Sequence, residues 1–341
     1  MLRRFLLVAA ACIVILALSS CDILIGPSSS VASPSTRTTP ISPATSPTPT
    51  FPTKPPATQP VLQHGPLVEY VLDLINKDRA DYGLAPVTLG TNQAAQKHAD
   101  DMLAGFFLSH WGTDGLKPYM RYTLEGGVNY NIENSAYTGW YDKSENPDRY
   151  VALDVKVALQ KLEYAMMYDD AGSAWGHREN ILNKWHKKVN IGIAYDGHRL
   201  AFVQDFEGDY VQFNQAPALL QGVLSMGGRV VLGTIQTVAI YYDPVSHAWT
   251  QQELLNGPHS YSLGDAAGYV VSPPSPGHFY IDLPPDAIMA GVWNVSNTGD
   301  FTIITDLNAV LKRGPGVYTV VIWSKAGTEL LSLTNYSIFL D

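Results

Sequence analysis

The chain has 341 residues, 46% of them hydrophobic and 16% charged, a composition that can bury a sizeable core. A formal net charge of −9 lacks the basic footprint of a nucleic-acid binder and argues against charge-driven binding to anionic lipid. The two cysteines, Cys12 and Cys21, both lie near the N-terminus, which excludes disulfides, thiolate nucleophiles and cysteine zinc sites from the rest of the chain.

The N-terminus sets two arginines in "MLRRF" before the apolar run "LLVAAACIVILAL", the form of a secretory signal. The following "LSSC" resembles a bacterial lipobox. Residues 1–21 then read as a lipoprotein signal peptide, with Cys21 carrying the lipid and tying the protein to the bilayer. The alternative is an uncleaved anchor helix; the run is short for one. Either places the protein outside the cytoplasm of a prokaryote, attached to its membrane. Residues 22–64 form a Ser/Thr/Pro-rich linker, with too little apolar surface to offset chain entropy. Proline keeps such a segment extended, as a spacer.

From residue 65 the pattern is helical. Leu67, Val71, Leu74 and Ile75 mark a first helix, and Asn92–Phe106 a second with His98 on its apolar side. Arg149–Tyr168, with Val155, Leu159, Leu162 and Met166 as its apolar stripe, predicts a third, and "GSAWGHRENILN" a fourth carrying His177. The period then drops to two at Val189, Ile191 and Ile193. Asp196-Gly197 supplies a hairpin turn to a return strand ending near Phe206. Residues 65–215 therefore read as an α+β sandwich domain. Residues 216–341 hold short β-type runs separated by Gly, Pro, Asn and Asp, the pattern of an all-β, Ig-like sandwich. Val317–Trp323 and Leu330–Leu340 around "KAGTE" form its closing hairpin.

Five polar positions of the first domain stand where packing alone would not put them: His98, His110, Glu133, His177 and a late-helix acid, Glu163 or Asp169. Two histidines with two carboxylates suit a divalent cation. A water on such a cation would have a lowered pKa, with Glu133 as its base. Each histidine taken singly is more often a hydrogen-bonded structural residue, and His98 reads as a satisfied core side chain. G-x-S-x-G, Walker, H-E-x-x-H and G-x-G-x-x-G signatures are absent from the sequence.

The segments "LINKDRADYGLAPVTLGTNQAAQKHADDM", "FFLSHWGTDGLKPYMRY", "NIENSAY", "GHRENILN" and "VNIGIAYDGHRLAFVQDF" follow one another in an order that resembles the CAP superfamily. That is the SCP-like domain of cysteine-rich secretory, antigen 5 and pathogenesis-related proteins, here closest to its disulfide-free bacterial branch. The resemblance implies an α-β-α sandwich with a central cleft that holds zinc or another divalent cation. The implied ligands are His110, Glu133, His177 and a second acid, Asp169 if Met166 sets the helix register and Glu163 otherwise. It also implies an unidentified small-molecule, lipid or protein ligand for that cleft. The expected function is a membrane-anchored binding module; the alternative is a metal-assisted hydrolase acting on peptides or cell wall.

Overall fold

The computed structural model describes residues 22–25, 65–139, 141–142, 149–150, 152–257, 259–280 and 283–341. The signal segment, Cys21 and most of the linker lie outside them.

Strands and helices of the first domain follow in the order β1 (Asp22–Ile25), α1 (Pro66–Asp81), β2 (Thr88–Leu89), α2 (Ala94–Gly105), α3 (Pro118–Leu124), β3 (Asn131–Gly139), β4 (Tyr141–Asp142), β5 (Arg149–Tyr150), α4 (Val155–Tyr168), α5 (Gly176–Ile181), β6 (Lys188–Tyr195) and β7 (Arg199–Glu207). The sheet order is β1-β3-β7-β6-β2. Strand β1 falls in the segment assigned to the linker, and pairs in parallel with Ser135–Thr138 of β3. Helix α4 starts at Val155, the first residue of its apolar stripe and six residues after the predicted Arg149, because Asp154 caps it by accepting from the Val157 N–H (3.1 Å). Arg149 and Tyr150 pair instead with β4.

Residues of α1, α4 and α5 (Val71, Ile75, Leu159, Leu162, Met166, Ile181) bury one face of the sheet with Ile132, Phe202 and Phe206. Ala95, Ala99 and Met102 of α2 cover the other with Ala201 and Val203. This is the three-layer α-β-α arrangement. Its tightest approach is at Gly192 of β6, where a Cβ would stand 2.0 Å from the Ala95 carbonyl oxygen. Only glycine lets α2 lie that close. The β6–β7 hairpin turns at Asp196-Gly197 as expected, with the Asp196 carboxylate accepting from the His198 and Arg199 N–H groups.

The second domain comprises β8 (Val211–Leu220), β9 (Val223–Val230), β10 (Thr234–Pro244), α6 (Gln251–Asn256), β11 (Asp265–Val271), β12 (Ala287–Met289), β13 (Val292–Val295), β14 (Asp300–Asp306), β15 (Gly316–Ala326), β16 (Glu329–Ser332) and β17 (Tyr336–Leu340). One sheet runs β12-β11-β10-β15-β16 with β17 also on β15, the other β13-β14-β9-β8. Their inner faces meet in one core, Leu224, Met226, Phe301 and Ile303 against Val238, Ile240, Val320 and Ile322. It is a two-sheet sandwich. It begins at Val211, where β8 pairs with Val230, five residues before the boundary read from composition. The final predicted strand is divided: Leu333 enters the core while the Asn335 side chain leaves for the first domain.

That side chain does the work of a missing neighbour strand. Asn335 accepts from the Asn131 N–H (3.2 Å) and donates to its carbonyl (2.8 Å). β3 is thus covered by β1 along its second half and by the sandwich along its first, so its open edge is shielded. Lys117 and Tyr119 clamp Asp243 of β10 at 2.6 and 2.7 Å, and the Trp111 and Trp249 rings lie 5.4 Å apart.

Candidate functional site

His110, Glu133 and His177 are each 0% exposed. Glu133 and Ser135 alternate on β3, so both face the α2 side, where His110 lies. The His110 Nδ1–H donates to Glu133 Oε1 (2.8 Å), with Ser135 Oγ 3.5 Å from the same nitrogen. Arg121 of α3 donates to Glu133 Oε2 (2.8 Å) and to the His110 and Leu116 carbonyls (2.9 and 2.6 Å). Burial alone would raise the Glu133 carboxyl, but His98, Arg121 and His110 outweigh it and hold it at about 2. His98 is buried as expected from the sequence, but only one of its ring nitrogens is paired, Nδ1 having no hydrogen-bond partner among the described residues. Its Nε2–H donates to the Ser109 carbonyl (2.8 Å), and burial and Arg121 push it down to about 4.

His177 stands at the start of α5. Its Nδ1–H donates to Asp170 Oδ1 (2.7 Å), and Asp170 Oδ2 accepts the Arg178 N–H (3.1 Å). Asp170 is 1% exposed. The acid paired with His177 is therefore Asp170, and neither predicted residue. Helix α4 ends at Tyr168, and Asp169 has left helical geometry (φ −128°, ψ 43°) with its side chain in solvent. The helical count that selected Asp169 from Met166 thus runs one residue short. Ala174 and Trp175 then take consecutive left-handed conformations (φ 50° and 66°) to start α5. Such strain in non-glycine residues persists only where the surroundings over-determine it. Here the Ser173 and Trp175 N–H groups both donate to the Asp170 carbonyl (3.0 Å each).

Glu163 is buried, yet it holds neither histidine. It accepts from Gln204 Nε2. Gln204 Oε1 accepts from Asn134 (3.0 Å), which also donates to the His177 carbonyl (3.1 Å) and accepts from Asn180 (2.8 Å). Burial, then Asp78, pushes Glu163 up to about 8 against the pull of Gln204. Consecutive residues of β3 thus serve both histidines: Glu133 binds the His110 ring and Asn134 the His177 backbone.

The expected four-ligand centre does not form with that set. Asp169 faces solvent, both Glu133 oxygens are engaged, and Asp170 spends its oxygens on His177 and Arg178. Among the described residues no three His, Asp or Glu side chains converge as metal ligands. The donor chemistry fits a smaller set. Each imidazole is held at Nδ1 by a carboxylate, the arrangement in which Nε2 is turned to ligate. His177 Nε2 is buried without a hydrogen-bond partner among the described residues. Arg121, Asp170 and Asn134, which carry this geometry, were missed by the sequence reading. Asp170 and Asn134 lie beside residues it selected; a single buried arginine in the short helix α3 gives no periodic signal.

Residues 72–206 match the cysteine-rich secretory protein family, CAP. No curated protein matches the chain. Among solved structures, an extracellular protein containing an SCP domain from Bacillus anthracis str. Ames is 22% identical over 41% of this chain, with a TM-score of 0.30. The match spans 40% of that protein's length.

Proposed function

The chain carries a CAP domain over residues 72–206, and from that membership we propose an extracytoplasmic, lipid-anchored binding protein whose cleft takes a divalent cation such as zinc. His110 and His177 would hold it through Nε2, with Glu133 and Asp170 behind them as proton acceptors that fix the tautomers. A bound cation would supply open coordination positions for a further ligand. The observation that carries the reading is His177, fully buried, fixed to Asp170 at Nδ1 and without a hydrogen-bond partner at Nε2 among the described residues. The hydrolase alternative has less support, since His98, Arg121 and His110 hold the Glu133 carboxyl at about 2, which leaves it a weak base.

Zinc titration of the full chain, followed by calorimetry and melting temperature, tests the reading. One ion should bind, His177→Ala should abolish binding, and Asp170→Asn should weaken it about 10–100-fold with the fold kept. Absence of zinc binding by the unmodified chain would sink the proposal. For the anchor, Cys21→Ala should move the protein from the membrane to the soluble fraction. Retention of that variant in the membrane would favour an uncleaved anchor helix.

A further inference from the structure

We propose that the β-sandwich supplies a residue to the cleft, Tyr261, which decides what can reach His110. Residue 261 lies in the link between α6 and β11, and its side chain reaches the other domain. The Tyr261 ring stands edge-on to the His110 imidazole at 4.9 Å between centroids. Its hydroxyl accepts the Glu133 N–H at 3.0 Å. One side chain thus touches both members of the His110–Glu133 pair.

The segment is held from three sides. Lys117 Nζ donates to the Ser262 carbonyl (2.9 Å) while clamping Asp243 (2.6 Å). Leu263 packs against the cluster of Leu116, Tyr119 and Met120 in the first domain. Gly264 passes so close to β10 that a Cβ would lie 2.3 Å from the Tyr242 carbonyl oxygen. The ring is thereby set over His110 by contacts on both its flanks. An open cleft of about 230 Å³ does approach the site from another direction, but it is lined by His98, Arg121, Asp101 and Asp114, and His110 does not line it.

With Tyr261 in place its ring stands over the His110 imidazole and blocks a lipid tail or a peptide from that side. Tyr261 is a specificity-determining residue, and larger ligands need the ring to swing away. This holds whether or not the cleft binds zinc, so a failed zinc titration leaves it standing.

Carbethoxylation of histidine by diethyl pyrocarbonate, read by peptide mass mapping on the full chain, tests it. His110 should be unreactive in the unmodified protein. In Tyr261→Ala it should react at least tenfold faster, while buried His98 and His186 stay protected. Tyr261→Phe, which keeps the ring, should leave His110 protected. If Tyr261→Ala does not fold, Tyr261→Val gives the same comparison. A His110 that stays unreactive in a folded small-residue variant overturns the proposal. So does a rise in all three histidines together, which would report general loosening.

Discussion

Arg121→Met is expected to be the most damaging single change in the first domain, costing about 3–5 kcal/mol, as breaking one side of a buried ion pair does. Arg121 is 7% exposed and donates to two carbonyls as well as to Glu133. Methionine fills much of its volume but gives none of these bonds. The fully buried Glu133 carboxylate would lose the only guanidinium it faces among the described residues and keep the imidazoles of His110 and His98. For a protein of this size the loss corresponds to a fall in melting temperature on the order of 10 °C. Adding Glu133→Gln should recover more than half of it, because a neutral pair removes the stranded charge. Urea unfolding of the unmodified protein and the two variants measures both terms. A cost below about 1 kcal/mol for Arg121→Met would mean that the pair does not hold this corner together.

The part of this corner that could be read from the sequence is the part governed by local rules. The stripe Val155, Leu159, Leu162, Met166 gave α4, and the alternation of Val189, Ile191 and Ile193 gave β6. His110, Glu133 and His177 were found through the order of their motifs. Residue choice failed where a regular element ends. Asp169 and Asp170 are chemically identical neighbours, and which faces His177 depends on where α4 stops and on two left-handed residues after it. Arg121 and Tyr261 were invisible for another reason. Their partners are distant in sequence, and neither an arginine beside a polar loop nor a tyrosine between two β-type runs signals that it is buried against another domain. The boundary near Val211 was displaced because an edge-to-edge pairing, β8 on β9, begins before the composition changes.

Glu163 gives the second large effect, through pH. Its carboxyl is 2% exposed and faces Gln204 of β7 and the negative Asp78 of α1, whose own carboxyl accepts from Tyr168. Burial first, then Asp78, raises it from the usual 4.5 to about 8. The folded protein therefore binds this proton more tightly than the unfolded chain. The resulting stability is fully present below about pH 4.5 and is lost as pH rises through 8. Glu163 should make the protein less stable at pH 8 than at pH 5, by an amount on the order of 2–4 kcal/mol. Glu163→Gln keeps an acceptor for Gln204 and cannot ionise. It should flatten this slope and melt at a higher temperature than the unmodified protein at pH 8, with little difference at pH 5. Asp78 and Asp205, both also raised by burial, will leave a residual slope in the same direction. Equal melting temperatures for the variant and the unmodified protein at pH 8 would show that Glu163 titrates near its ordinary value, with water reaching the Gln204–Asn134 network. The same result would loosen the argument for a rigid His177, since Asn134 is the residue that ties that network to the His177 backbone.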